Sequence, residues 1–136
     1  MQKVFVDTNY ILRFLINNDS TQGGQVKKIF EKAVDDKIKL FSNSIVIFEI
    51  YWVLTSFYHK EKSETLKIIK DVLSLSFIFF EEKRLLMQAI KLCSSCNLEL
   101  EDCYHLYFAI EKDVDLVATF DKKMIREAKD LKLGVV

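Results

Sequence analysis

Three observations predict a three-layer α/β/α sandwich built on a central parallel sheet of about five strands. Short apolar stretches alternate with amphipathic segments along the whole chain. The apolar stretches lack the in/out alternation of a half-exposed strand, which marks strands buried on both faces, as parallel strands are. The amphipathic segments supply the crossovers between such strands, and those connections are right-handed almost without exception. At 136 residues the sequence is read as a single domain spanning 1–136, large enough for one hydrophobic core.

The elements follow in order. Residues 3–7 read as a strand, and 8–17 as a helix that ends at Asn17-Asn18-Asp19. Residues 21–36 place Val26, Ile29, Phe30, Ala33 and Val34 at helical spacing, with Gly23-Gly24 as a loop or a loosened first turn. Lys39-Leu40-Phe41-Ser42 is a short strand, after which Asn43 or Ser44 can cap the next helix. Residues 63–75 turn Leu66, Ile69, Val72 and Leu73 inward, and Phe77-Ile78-Phe79-Phe80 is a strand. Helices at 82–95 and 101–112, a strand at 115–120, a helix at 122–131 and a strand at 133–136 complete the pattern. The chain has no proline and only three glycines, so its turns must rely on Asn, Asp, Ser and Lys.

Composition excludes several classes. Half the residues are hydrophobic, which rules out a disordered chain. The longest apolar run is too short and interrupted to span a bilayer. No signal peptide is visible, so a cytoplasmic location is the expectation. Lys+Arg and Asp+Glu both number 20, so no basic excess announces nucleic acid. Acids gathered in one cleft would nevertheless leave a basic surplus elsewhere to meet phosphates. Cys93, Cys96 and Cys103 are an odd count, and the C-x-x-C ends a helical pattern. Reduced, partly buried thiols are the reading there, rather than zinc or a redox pair.

One charge stands out. Glu49 interrupts the apolar run Ile45-Val46-Ile47-Phe48-Glu49-Ile50-Tyr51-Trp52-Val53-Leu54. A helix apolar all round is expected to be buried, and a carboxylate inside it needs a partner. Its helical-face neighbours Ile45, Phe48, Trp52 and Val53 are all apolar. Asp7 and Asp121 each end an apolar strand, where ligands of α/β sheets bind, and Asp102 starts a helix. If the two strands are neighbours, their carboxylates face one cleft. Each Asp also suits a helix cap, and a capping carboxylate keeps a second oxygen. Glu49 has a buried ion pair with a distant Lys or Arg as its alternative.

Carboxylate oxygens in this number suit a hard divalent cation, Mg²⁺ or Mn²⁺, which activates water or polarises a phosphoryl oxygen. Asn9 and Arg13 share a helical face beside Asp7, and Arg13 can grip a phosphate or form a surface pair with Asp19. Thr119 lies two residues before Asp121, facing a metal-bound water or simply suiting a strand. No Ser or Cys nucleophile is suggested, and neither His59 nor His105 has an evident catalytic partner. The aromatics Tyr51, Trp52, Phe57 and Tyr58 suit core packing or a dimer face better than base stacking. Lys122, Lys123 and Arg126 form either a basic rim or a solvated helix face.

Four segments together resemble the PIN-domain ribonucleases, and among them the VapC-type toxins of toxin–antitoxin pairs. They are Val4-Phe5-Val6-Asp7-Thr8-Asn9-Tyr10-Ile11-Leu12-Arg13-Phe14-Leu15, Ser44-Ile45-Val46-Ile47-Phe48-Glu49-Ile50-Tyr51-Trp52-Val53-Leu54, Leu100-Glu101-Asp102-Cys103-Tyr104-His105-Leu106-Tyr107-Phe108-Ala109 and Leu116-Val117-Ala118-Thr119-Phe120-Asp121-Lys122-Lys123-Met124. The resemblance implies a Mg²⁺- or Mn²⁺-dependent endoribonuclease, with Asp7, Glu49, Asp102 and Asp121 as the acidic metal-binding set. It implies in-line attack by a metal-activated water, leaving a 3′-hydroxyl and a 5′-phosphate. It also implies a homodimer, a cognate antitoxin as inhibitor, and RNA, transfer RNA in particular, as substrate. Two departures bear on RNA choice. Cys103-Tyr104 stands where small residues are usual, and Met124 replaces an aromatic. The rival readings are a PIN-type nuclease of RNA processing, a catalytically silent binding module, and an α/β phosphotransferase. The last would require an acid at position 9, which is Asn.

Overall fold

The computed structural model describes residues 1–16 and 21–136, and it divides into two compact units, Met1–Glu82 and Lys83–Val136. The expected helix end at Asn17-Asn18-Asp19, and with it an Arg13–Asp19 pair, lies outside the described residues. Among those residues there are seven α-helices and five strands, in the order the sequence predicts.

The first unit holds β1 (Gln2–Phe5), α1 (Thr8–Ile16), α2 (Thr21–Val34), β2 (Ile38–Ser42), α3 (Ser44–Trp52), α4 (Lys62–Leu73) and β3 (Ile78–Phe80). A π-helical turn, Val53–Phe57, extends α3. The strands form one parallel sheet in the order β1-β2-β3. Its register places Phe5 opposite Phe41 and Phe41 opposite Phe79. Ile11, Leu40, Ile47, Ile50, Ile69 and Leu73 are fully buried and form the core. The buried Ser42 hydroxyl donates to the Val6 carbonyl at 3.0 Å, fastening the two strand ends where α1 and α3 begin.

Burial on both faces of these strands does not hold. In β2 and β3 the buried residues alternate, with Ile38, Leu40, Ser42, Ile78 and Phe80 inside and Lys39 and Phe79 exposed. The outer face is a row of phenylalanines made tolerable by lysines. The Lys3 and Lys39 ammonium groups lie 5.9 and 5.5 Å from the Phe41 ring centroid. Their aliphatic stems cover apolar surface while the charge stays in water.

The second unit holds α5 (Lys83–Cys93), α6 (Leu100–Glu111), β4 (Leu116–Val117), α7 (Lys122–Asp130) and β5 (Gly134–Val135). Helix α5 packs against α6, with Leu86, Ala89, Leu100 and Leu106 fully buried. Strands β4 and β5 pair in parallel, joined through α7. The five parallel strands are therefore hydrogen-bonded as a sheet of three and a sheet of two. The predicted strand 115–120 shortens to Leu116–Val117, and Leu116 is exposed. At Gly134 a Cβ atom would sit 2.8 Å from the Asp115 carbonyl oxygen, so glycine is what lets the two backbones approach.

Turns behave as a glycine-poor chain requires. Helices α2, α6 and α7 end with Asp36, Asp113 and Lys132 in the left-handed region, at φ 57°, 53° and 63°. The next amide in each case bonds five residues back: Lys37 to Lys32, Val114 to Ala109 and Leu133 to Ala128, at 2.9, 2.9 and 2.8 Å. These are Schellman ends made without glycine.

Candidate functional site

In the first unit the site grows from the carboxyl end of β1. Asp7 caps α1 with one oxygen, Oδ1, which accepts from the Tyr10 amide at 3.1 Å. The Asp7 side chain is otherwise exposed. The next residue, Thr8, is buried, and its hydroxyl donates to Glu49 Oε2 at 2.6 Å. That bond crosses 41 positions of sequence and ties α3 to the residue beside Asp7. It pairs Glu49 with a neutral donor, and no ion pair to a Lys or Arg occurs for it among the described residues, so a second carboxylate stands near the end of β1.

Glu49 is not the buried carboxylate that the apolar run predicts. Glu49 is exposed, and so are Ile45 and Trp52 on the same helical face, at 64% and 61%. The opposite face carries Val46, Ile47, Ile50, Tyr51 and Leu54 and meets the core alone. An all-apolar helix thus has one face inside and a second, equally apolar face turned outward. Glu49 sits in water on that outer face. Asn43 supplies the cap, its Oδ1 accepting from the Val46 amide at 3.2 Å. Ser44, the other candidate cap, instead donates to Glu82 Oε1 at 2.5 Å.

Asn9 and Arg13 stand on one face of α1 and line two cavities. One, of about 340 Å³, is shared with Asp7, Tyr10, Gln22, Gln25 and Val26. The other, of about 310 Å³, is shared with Leu12, Ile16, Trp52, Val53, Phe57 and Tyr58. Arg13 makes no ion pair among the described residues. Of the aromatic group, Tyr51 is core, while Trp52, Phe57 and Tyr58 are exposed.

In the second unit Asp102 is the third residue of α6, in the first turn of that helix, as the sequence places it. Its carboxylate accepts from the Glu99 backbone amide, the reciprocal half of a capping box. Burial, and then the charge of Asp121, push its carboxyl above the usual range, while His105 one turn on pulls the other way. Asp102 and Asp121 therefore feel one another. Asp121 caps α7, its Oδ1 accepting from the Lys123 and Met124 amides at 2.8 and 3.1 Å. The Thr119 hydroxyl accepts from the Asp121 amide at 3.1 Å. Thr119 thus lies outside the shortened strand and sets the backbone of the Asp121 cap.

The acids stand as two pairs, Asp7 with Glu49 and Asp102 with Asp121. No group of three or more His, Cys, Asp or Glu side chains poised to hold a metal occurs among the described residues. The donor chemistry nevertheless suits a hard cation, because Mg²⁺ keeps several waters and is held by as few as one or two carboxylates. In Asp7 and Asp121 the capping bonds go to Oδ1, so Oδ2 is the oxygen a cation would take. The three thiols are soft donors and do not suit such a hard cation. Cys96 and Cys103 sulfurs are 3.8 Å apart, and the hydrogen bond to Cys93, together with burial, pushes the Cys103 thiol strongly up, keeping it protonated. A thiol must lose its proton to bind metal.

The raised Asp102 carboxyl makes a testable statement about the metal-free protein. The folded chain holds this proton to higher pH than the unfolded chain, so stability falls as pH rises from the ordinary Asp range through the folded value. At neutral pH the full cost is present. Asp102→Asn, which keeps a capping oxygen, is expected to raise the melting temperature at pH 7, with the gain fading as pH approaches 3. A variant no more stable than wild type at pH 7 contradicts the assignment.

Sequence reasoning did not find the Thr8–Glu49 bond, the Ser44–Glu82 bond or the two glutamines. The bonds join residues 41 and 38 positions apart and leave no local signal. The glutamines look like ordinary helix surface.

No curated protein matches the chain. A family model, the PIN domain, matches residues 4–130 and so runs through both units. The PIN domain is a three-layer α/β/α fold, which is the class read from the sequence. PIN domains are generally nucleases that use divalent metals and bind nucleic acid. With the parallel strands, their intervening helices and the acids at the ends of β1 and before α7 already in place, a match of this extent shows that the chain belongs to the PIN domain family.

Proposed function

We propose that this chain is a Mg²⁺- or Mn²⁺-dependent endoribonuclease, the toxin of a toxin–antitoxin pair, acting as one domain over residues 1–136. The observation that carries the reading is the 2.6 Å bond from Thr8 to Glu49, which brings a second carboxylate to the end of the strand that presents Asp7. Asp7, Glu49, Asp102 and Asp121 are the metal-binding set. When bound, the cation polarises the scissile phosphate and activates water. The chain's own residues do the positioning. Thr8 orients Glu49, Thr119 sets the Asp121 cap, and Asn9 and Arg13 face the phosphate backbone of the RNA, transfer RNA being the expected class.

The partners follow from the outer face of α3. Ile16, Trp52, Phe57 and Tyr58 are exposed around one cavity. Large apolar surface of this kind marks a protein contact, and we assign it to a second copy of the chain in a homodimer. A cognate antitoxin is the inhibitor in this reading. No helix among the described residues is long and apolar enough to cross a membrane, and the cytoplasm is the proposed location.

The lack of a three-ligand group among the described residues favours the catalytically silent module as the second reading. Incubation of the purified chain with cellular RNA separates the two. Cleavage with Mg²⁺ or Mn²⁺, stopped by EDTA and leaving 5′-phosphate ends, is the expected result. Intact RNA at every metal concentration selects the silent module, and cutting that persists in EDTA removes the metal.

A further inference from the structure

The cavity beside Asp7 is lined by more than an acidic metal site requires. Gln22 and Gln25 lie three apart on α2, so their amides leave one face of that helix. Asn9 and Arg13 lie four apart on α1 and face the same space. Tyr10 is half-buried and the buried Val26 adds an apolar surface. The volume, about 340 Å³, is at the small end for a ligand pocket. A space of this volume suits a single small planar group.

The lining chemistry narrows the occupant. A bare anion would engage Arg13 and the amide N–H groups but give the three amide carbonyl oxygens no donor. A purely apolar group would meet Val26 and leave three amides without partners. A neutral heterocycle whose edge both donates and accepts satisfies the amides, and an unstacked RNA base can lie on an aromatic ring such as Tyr10. A carboxamide is the side chain that bonds the adjacent donor and acceptor of adenine in a bidentate manner.

We propose that this pocket receives an adenine base next to the bond to be cut, with Gln22 and Gln25 reading its edge and Arg13 holding a neighbouring phosphate. Gln22 and Gln25 become specificity-determining residues, outside the acidic set. The inference rests on the nuclease reading, because Asp7 lines the same cavity.

Two measurements test it. The first compares cutting of RNA oligonucleotides randomised around the cleavage site by wild type, Gln22→Ala and Gln25→Glu. Wild type is expected to prefer adenine at one flanking position on the order of tenfold. Gln22→Ala is expected to bring that ratio near unity. Gln25→Glu, which keeps the shape but only accepts, is expected to move the preference toward cytosine, whose exocyclic amine donates. The second measures binding of fluorescent oligo(A) and oligo(U) to Asp121→Asn with and without Gln22→Ala, a readout that needs no cleavage. Cutting with no flanking preference, or with one that both glutamine variants leave unchanged, overturns the pocket and spares the nuclease. Absent cutting with a glutamine-dependent preference for oligo(A) supports the pocket and removes the nuclease. Absent cutting with equal binding of the two oligomers removes both.

Discussion

Asp7→Asn is expected to abolish the metal-induced rise in melting temperature and RNA cleavage together. A ligand that binds only the folded state stabilises it by about 2.7 kcal/mol at a hundred times its dissociation constant. For a chain of this size that is a shift on the order of 10 °C. The substitution isolates charge from fold. Asn caps a helix as well as Asp does, and the Tyr10 amide keeps an acceptor in the one oxygen it uses. Glu49→Gln is matched in the same way, because its carbonyl still accepts from the Thr8 hydroxyl. Removing a group that only orients a metal ligand already costs about ten- to a hundred-fold, so loss of a ligand should lower cleavage by at least about 100-fold. Melting with Mg²⁺ or Mn²⁺, and timed cleavage of RNA, are the measurements. Wild-type levels of both in Asp7→Asn would remove the proposed site.

Trp52→Glu is expected to weaken self-association by roughly 30-fold or more. Trp52 is 61% exposed on the outer face of α3, beside Phe57 at 70%. Neither ring belongs to the core, so truncating one does not open a cavity. Aromatic anchors at the centre of an interface typically contribute about 2 kcal/mol or more, and each 1.4 kcal/mol is tenfold in affinity. Sedimentation equilibrium reads the change directly, and the unassociated variant should melt cooperatively. A wild-type chain that stays monomeric at all concentrations would reject the homodimer and leave this face to the antitoxin. An unchanged dissociation constant would move the interface elsewhere.

The order of helices and strands was legible in the sequence because helical spacing and capping rest on neighbours a few positions apart, whereas the premise that the strands are buried on both faces failed in β2 and β3. Val26, Phe30 and Ala33 announce a helix by their spacing, and Asn43 announces its cap. Asp7 and Asp121 were visible for the same reason, since each follows an apolar stretch and precedes a helix. The error at Glu49 is equally physical. Hydropathy reports how apolar a helix is, not which of its faces another element covers. Ile45 and Trp52 look as core-like in sequence as Ile47 and Ile50, and only packing separates them. The strand before Asp121 was overread in the same way, since Leu116 to Phe120 suit a strand but only Leu116–Val117 find a partner, in β5.

By itself the sequence determined the α/β class, the succession of helices and strands, and the local posts from which Asp7, Asp102 and Asp121 extend, because short-range periodicity and capping chemistry are written into adjacent residues. Tertiary structure alone decided that Thr8 holds Glu49, that the second apolar face of α3 looks outward, and that Gln22 and Gln25 meet Arg13 across a cavity. Those contacts join segments distant along the chain, and their energies arise only when packing brings the side chains together.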